Sequence, residues 1–300
     1  GRMKVDYPRI IGHEITAEIV EVGKGVSELK VGDPVTAYYY LTCGTCEWCQ
    51  KDRETLCDNF AGNVGREIDG GYAEYIKLPA NTFLKLPEAL DYKAHPAEVG
   101  VITDAISTPV KLINKARVQP GDTVAVIGAG GGLGLHMVAV AKWANARVIA
   151  VDVRPEKFDA CRKAGADDIV DAAASDMTEA VLELTGGRGV DVVMDFVATG
   201  KTLDTATRAL GKGGRLAILG GAGLDNSWQI SGNWIKSGER EIIGSKYATK
   251  AEVRESLEIV ARGELWPIVT ETCKLEDLEA LHQRVEQGLV TGRAAVLIGD

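Results

Sequence analysis

"TVAVIGAGGGLGLHMVAVAKWANARVIAVD", residues 123–152, decides the fold. Thr123 to Ile127 is a β-branched run that predicts a strand. The glycine cluster behind it predicts a turn, an amphipathic helix follows to about Asn145, and a second strand ends at Asp152. This is a βαβ unit. Its glycines let the backbone approach a pyrophosphate, whose charge is met by free N–H groups and by the positive end of the helix dipole. A strict G-x-G-x-x-G frame fails, because counting from Gly128 puts Leu133 where the last glycine belongs. G-x-x-G-x-x-G fits instead, through Gly128, Gly131 and Gly134, with Gly132 inside the same turn. Asp152 lies 18 residues past Gly134, placed to accept hydrogen bonds from both hydroxyls of an adenosine ribose. Its charge repels a 2′-phosphate and favours NAD over NADP, while Arg154 close by speaks the other way.

The pattern continues on the C-terminal side. "VDVVMDFV" (190–197), "RLAILGG" (215–221) and "REIIGSK" (240–246) predict three further strands, with a weaker one near Asp168 to Asp171 and helical stretches between. Six strands with crossing helices make an α/β domain with a doubly wound parallel sheet. The region before Thr103 reads differently. "EITAEIVEVG", "VGDPVTAYY" and "GGYAEYIKLP" are short alternating strands with Gly and Pro turns, the pattern of an antiparallel barrel.

Four of the chain's six cysteines fall within "CGTCEWCQKDRETLC", residues 43–57. Cys43, Cys46, Cys49 and Cys57 follow C-x2-C-x2-C-x7-C, in which short loops turn successive thiolates toward one tetrahedral zinc. Disulfides fit poorly, since the remaining Cys161 and Cys273 are isolated in other segments. A closed four-thiolate site leaves no position for water or substrate, so this zinc stabilises a loop and activates nothing.

Composition narrows the partners. The chain has 300 residues, 45% hydrophobic and 26% charged, with a formal net charge of -9 that argues against nucleic acid, which is bound by clustered Lys and Arg. No apolar run is long enough to span a bilayer and no signal peptide opens the chain, so the expectation is a cytoplasmic protein without a membrane partner. Position 1 carries no initiator methionine, and Gly1 reads as a cut edge.

The order G-H-E (12–14), V-G-D (31–33), the four-cysteine loop, D-G-G-Y-A-E-Y (69–75), the glycine turn and the terminal "TGRAAVLI" resembles the zinc-dependent alcohol dehydrogenases of the medium-chain dehydrogenase/reductase superfamily. The resemblance covers essentially the whole chain. It implies a GroES-like antiparallel β-barrel domain over residues 1–105, a Rossmann NAD-binding domain over 106–246, and a return to the catalytic domain over 247–300. It also implies that the cysteine loop holds structural zinc, and that His13 is a ligand of a separate catalytic zinc with Glu14 beside it.

For the next ligand the resemblance offers Asp104 in "DAISTPV", with Thr108 facing the nicotinamide; His95 and Glu98 in "HPAEVG" serve shifted frames. The plain reading of Asp104 is a helix N-cap. Lys157 is implied at the adenosine ribose and Arg293 at the pyrophosphate. The family's first catalytic ligand, a cysteine, and its proton-passing Ser or Thr both lie ahead of G-H-E, where this sequence has only eleven residues and neither group in the matching place, so an opening segment is expected. The implied activity is NAD-linked interconversion of alcohols with aldehydes or ketones by hydride transfer, in a homodimer or homotetramer. The alternatives are a zinc-independent quinone or enone reductase of the same superfamily and a noncatalytic dinucleotide-binding protein.

Overall fold

Burial on both faces accounts for the β-branched and apolar run Thr123–Ile127, which is a central strand of a six-stranded sheet. The computed structural model describes residues 5–221 and 225–299; Gly1 lies outside them. The chain divides into two units, one of Pro109–Lys246 and one of residues 5–108 with residues 247–299.

In the first unit the strands run in the order Glu241–Gly244, Leu210–Ile218, Val190–Asp195, Thr123–Ile127, Arg147–Asp152 and Asp168–Asp171, every neighbouring pair parallel. From Thr123–Ile127 the chain first builds outward on one side and then crosses to the other. The topological switch therefore falls at the carboxyl end of that strand, where ligands bind in open α/β sheets. Ala125, Ile127, Ile149, Val151, Val193, Leu203 and Leu216 form one buried cluster against the sheet.

Three strand boundaries differ from the sequence expectation. The run expected at 190–197 stops at Asp195, because the Asp195 carboxylate accepts the amides of Val197 and Ala198 at 2.9 and 2.8 Å and turns the chain. The strand expected at 215–221 is Leu210–Ile218, entered through a register shift between Leu210 and Arg215. That expected at 240–246 is Glu241–Gly244. The helix behind the glycine turn, Gly132–Trp143, is not amphipathic. Leu135, Met137, Val138, Val140 and Ala141 are all buried, and so is His136, whose Nδ1 bonds the Gly132 carbonyl at 2.7 Å.

In the second unit Thr16–Glu18, Pro34–Ala37 and Phe83–Lys85 make a three-stranded antiparallel sheet, and Tyr40–Leu41 pairs with Gly62–Asn63. Val269–Lys274 and Arg293–Leu297 pair in parallel. The expected third strand, "GGYAEYIKLP", is not a strand. The amides of Gly70, Gly71 and Tyr72 bond the carbonyls of Ile10, Gly12 and Ile11 out of register, and two glycines leave no pleated face to pack. Among the described residues no helix is long and apolar enough to cross a membrane.

Arg215 ties the sheet unit together at the amino end of its strands. Its guanidinium donates to the Ala116 and Arg117 carbonyls at 2.9 Å and pairs with Asp122 at 2.9 Å, both side chains largely buried. Leaving Asp122 unpaired there costs about 3 kcal/mol. Arg215→Ala is expected to lower the urea midpoint accordingly, and Arg215→Lys to recover only part of the loss.

Candidate active site

The four-cysteine segment folds so that its thiols converge. A single helical turn, Glu47–Gln50, starts behind Cys46, and a 3-10 turn, Glu54–Leu56, delivers Cys57. The four Sγ atoms lie within 4.8 Å of one another, with Cys43 to Cys57 at 3.6 Å and Cys43 to Cys49 and Cys46 to Cys57 at 3.9 Å, and none is in a disulfide. Amides of Thr45 and Cys46 point at Cys43 Sγ from 3.4 and 3.3 Å. The Thr45 amide leads the interactions that lower the Cys43 thiol to about 5, whereas burial pushes Cys49 up to about 12. Four convergent thiols with no oxygen or nitrogen donor among them fit a closed tetrahedral zinc.

The second cluster joins segments far apart in sequence. Ligand atoms of His13, Glu14 and Asp104 lie within 4.8 Å of one another, and His13 Nε2 stands 3.8 Å from Asp104 Oδ2. Arg293 clamps both acids, its Nη2 2.8 Å from Asp104 Oδ2 and its Nε 3.1 Å from Glu14 Oε2. The remaining oxygens are also engaged. Asp104 Oδ1 accepts from the Thr108 hydroxyl at 2.6 Å, and Glu14 Oε1 accepts the Ala105 amide at 3.2 Å. The Tyr39 ring leans on His13, centroids 4.6 Å apart.

Asp104 does not cap a helix. It lies within a continuous helical run formed by Pro96–Val101, a π-helical turn Ile102–Ile106 and Ser107–Ala116. The wide turn is a device common at functional sites, and it brings Asp104 to His13. Of the other open candidates, His95 is exposed with its ring against Trp266 at 5.1 Å, and Glu98 sits in the first turn of Pro96–Val101. Among the described residues neither belongs to a group of potential ligands.

The two acids are tuned apart. Burial dominates at Glu14 and raises its pKa, with Arg293 opposing. At Asp104 burial again works against the charge, but His13, Arg293 and Thr108 together outweigh it and hold the carboxyl at about 2. One guanidinium set against two carboxylates leaves the cluster short of positive charge. An imidazole and two carboxylates are acceptable zinc donors, and the His13 side chain is 37% exposed, so a cation and a further ligand can reach it.

In the sheet unit, Gly128 takes φ +79°, and a Cβ at Gly134 would strike the Gly128 carbonyl, so both positions need glycine. Gly131 precedes the helix and Gly132 is its first residue. Asp152 Oδ2 accepts the Gly130 amide at 2.8 Å, while Oδ1 accepts those of Val153 and Arg154 at 2.8 and 3.1 Å. Lys157 is buried with its aliphatic stem against Gly130, and burial lowers its pKa with Asp152 opposing. Gly130 is absent from the frame read in the sequence, although it supplies the amide that meets Asp152; the signal was the length of the glycine run. Tyr39 has no sequence signal, since nothing in "YYYL" shows which ring meets His13. Arg293 is brought to the two acids, although the sequence gives no hint of that pairing.

Comparison with known proteins places these features in a family. The family model described as "Zinc-binding dehydrogenase" matches residues 132–262, and "Alcohol dehydrogenase GroES-like domain" matches residues 1–88. An alcohol dehydrogenase of Geobacillus stearothermophilus is 35% identical over 99% of this chain and 85% of its own length. An NAD-dependent alcohol dehydrogenase of Sulfurisphaera tokodaii is 32% identical over 98% of this chain and 83% of its own. The crystal structure of an alcohol dehydrogenase from the archaeon Aeropyrum pernix superposes with a TM-score of 0.87 at 35% identity, covering 97% of this chain and 83% of that one.

The thiol electrostatics make a direct prediction. In metal-stripped protein at pH 6.5, above the value of about 5 for Cys43 and far below the value of about 12 for Cys49, only the former is largely thiolate. Iodoacetamide is expected to label Cys43 well ahead of Cys49 by peptide mass mapping, with the Cys43 rate falling as pH drops through 5. Zinc is expected to protect both.

Proposed function

The chain belongs to the zinc-type alcohol dehydrogenases of the medium-chain dehydrogenase/reductase superfamily, and on that premise we propose that His13, Glu14 and Asp104 are the metal centre of an NAD-linked oxidation of alcohols to aldehydes or ketones, and of its reverse. The observation that carries this reading is the convergence of those three side chains into a nitrogen and oxygen cluster separate from the four cysteines. When bound, zinc at this cluster supplies a Lewis acid for the substrate oxygen and NAD supplies the hydride acceptor.

The chain's own residues set up that chemistry. His13 presents Nε2 toward Asp104, with the Tyr39 ring against its own. Asp104 stays ionised and is oriented from two sides, by the Thr108 hydroxyl and the Arg293 guanidinium. Glu14, held by the Ala105 amide and Arg293, tunes the cluster from beside the other two. Cys43, Cys46, Cys49 and Cys57 hold the structural zinc.

For the dinucleotide, Gly128, Gly131, Gly132 and Gly134 let the turn close on a pyrophosphate, and Asp152 selects NAD by accepting from the ribose hydroxyls and repelling a 2′-phosphate. Lys157 flanks that ribose. Arg293 is assigned to the two acids in addition to the pyrophosphate role its sequence position implies. Primary or secondary alcohols and their carbonyl partners are the substrates. We place the protein in the cytoplasm as a homodimer or homotetramer, with the edge strand Glu241–Gly244 as the pairing element.

Zinc analysis and NADH formation test the assignment together. The expected stoichiometry is two zincs per chain, falling to one in His13→Ala with NADH formation from simple alcohols reduced to background. A variant with that substitution that still forms NADH removes the metal mechanism. Asp152→Ser is expected to narrow the preference for NAD over NADP by about tenfold in kcat/KM.

A further inference from the structure

The four-cysteine loop carries a residue that no metal site uses. Glu54 opens the 3-10 turn between Cys49 and Cys57 and is only 6% exposed. Its Oε1 accepts the Lys250 amide, the first of the twelve-residue helix Lys250–Ala261. That helix already has a complete cap of its own: the Thr249 hydroxyl accepts the Glu252 amide at 3.2 Å and the Glu252 carboxylate accepts the Thr249 amide at 2.7 Å. The local sequence therefore secures the helix start without Glu54. What Glu54 adds is a tie, favoured by the helix dipole, between the cysteine loop and this particular point.

Other bonds converge on the same short segment. The hydroxyl of the fully buried Tyr38 donates to the Ala248 carbonyl at 2.8 Å. Lys250 Nζ donates to the Asn81 carbonyl at 2.7 Å and lies 5.4 Å from the Tyr38 ring. Just before Ala248, Tyr247 is held at φ +47°, a conformation that a bulky residue keeps only when its surroundings enforce it. Its ring packs on Tyr38, Tyr39 and Tyr40 at 5.9, 5.1 and 5.4 Å, and Tyr39 is the ring that leans on His13. The helix itself packs on the π-helical turn Ile102–Ile106 that carries Asp104. From Glu54 two short routes reach the cluster, one through Tyr247 and Tyr39 to His13 and one through the helix to Asp104.

We propose that Glu54 is a positioning residue through which the four-cysteine loop holds residues 247–250 and so sets the orientation of His13 and Asp104. The loop then serves the second metal centre and not only its own stability. The proposal rests on the reading of His13 and Asp104 as that centre.

The test compares Glu54→Ala, Glu54→Gln and Tyr38→Phe in the full chain, with the cysteines kept zinc-loaded. It measures amide hydrogen exchange at residues 102–108 and 247–257, Co2+ affinity at the His13 cluster, and kcat/KM. Glu54→Ala is expected to retain the cysteine-bound zinc, to speed exchange in both segments, to weaken Co2+ about tenfold and to lower kcat/KM by about ten- to a hundredfold. Glu54→Gln keeps a carbonyl oxygen for the Lys250 amide and is expected to stay within about threefold of the wild type. Tyr38→Phe removes the neighbouring tie and is expected to change exchange and Co2+ affinity in the same direction. If Glu54→Ala does not fold, that variant decides the matter.

Exchange at 102–108 and Co2+ affinity unchanged in the folded variants would overturn the proposal. So would loss of the cysteine-bound zinc in Glu54→Ala and Glu54→Gln alike, since Glu54 would then serve only its own loop. Exchange needs neither metal nor substrate, so a wild type that forms no NADH counts against the metal-centre reading alone.

Discussion

One guanidinium organises the second unit. Arg293, from the penultimate stretch of the chain, grips Glu14 from its opening segment and Asp104 from the middle of a helical run, at 3.1 and 2.8 Å. Two carboxylates buried side by side repel, and without a cation one of them would take up a proton. Arg293 relieves that repulsion, donating from Nη2 to Asp104 while its charge lies against Glu14 through Nε. The strand it belongs to, Arg293–Leu297, pairs in parallel with Val269–Lys274, so the C-terminal return of the chain is part of the site's construction.

The cluster that results is unequal by design. Asp104 is held ionised while burial raises the pKa of its neighbour Glu14, though both face the same guanidinium. The difference comes from geometry: Asp104 also has His13 at 3.8 Å and the Thr108 hydroxyl at 2.6 Å, whereas Glu14 accepts the Ala105 amide and faces the negative charge of Asp104 beside it. A firmly ionised Asp104 beside an exposed imidazole edge suits a metal ion that must stay bound yet remain open to a further ligand.

The two clusters of potential metal ligands differ in donor type. The soft four-thiol set has the donors to close a metal's coordination by itself, while the imidazole and carboxylate set has three donors and a partly exposed imidazole. Glu54 and Tyr38 fasten the cysteine loop and the link between the strands Pro34–Ala37 and Tyr40–Leu41 to the start of the helix Lys250–Ala261, a point one turn from Tyr247. Rigidity made at one cluster is thereby available to the other.

By itself the sequence determined what is local. The glycine turn and its flanking strands were legible in residues 123–152, because a buried parallel strand reads as a continuous β-branched run and a pyrophosphate turn needs glycines at short spacing. The cysteine spacing told of a tetrahedral thiolate site for the same reason, since all four ligands come from one loop. The second cluster was readable only through the resemblance to a family, which offered Asp104 first and left His95 and Glu98 open in shifted frames. The tertiary structure decided which of the three meets His13: a π-helical turn carries Asp104 to it, and a strand 189 residues further on brings Arg293 against Asp104. It also decided that "GGYAEYIKLP" is not a strand and that the helix Gly132–Trp143 is buried on nearly every side. Contacts between distant segments leave no periodic trace in either segment, so spacing rules reveal a site within one loop and miss a site assembled from four.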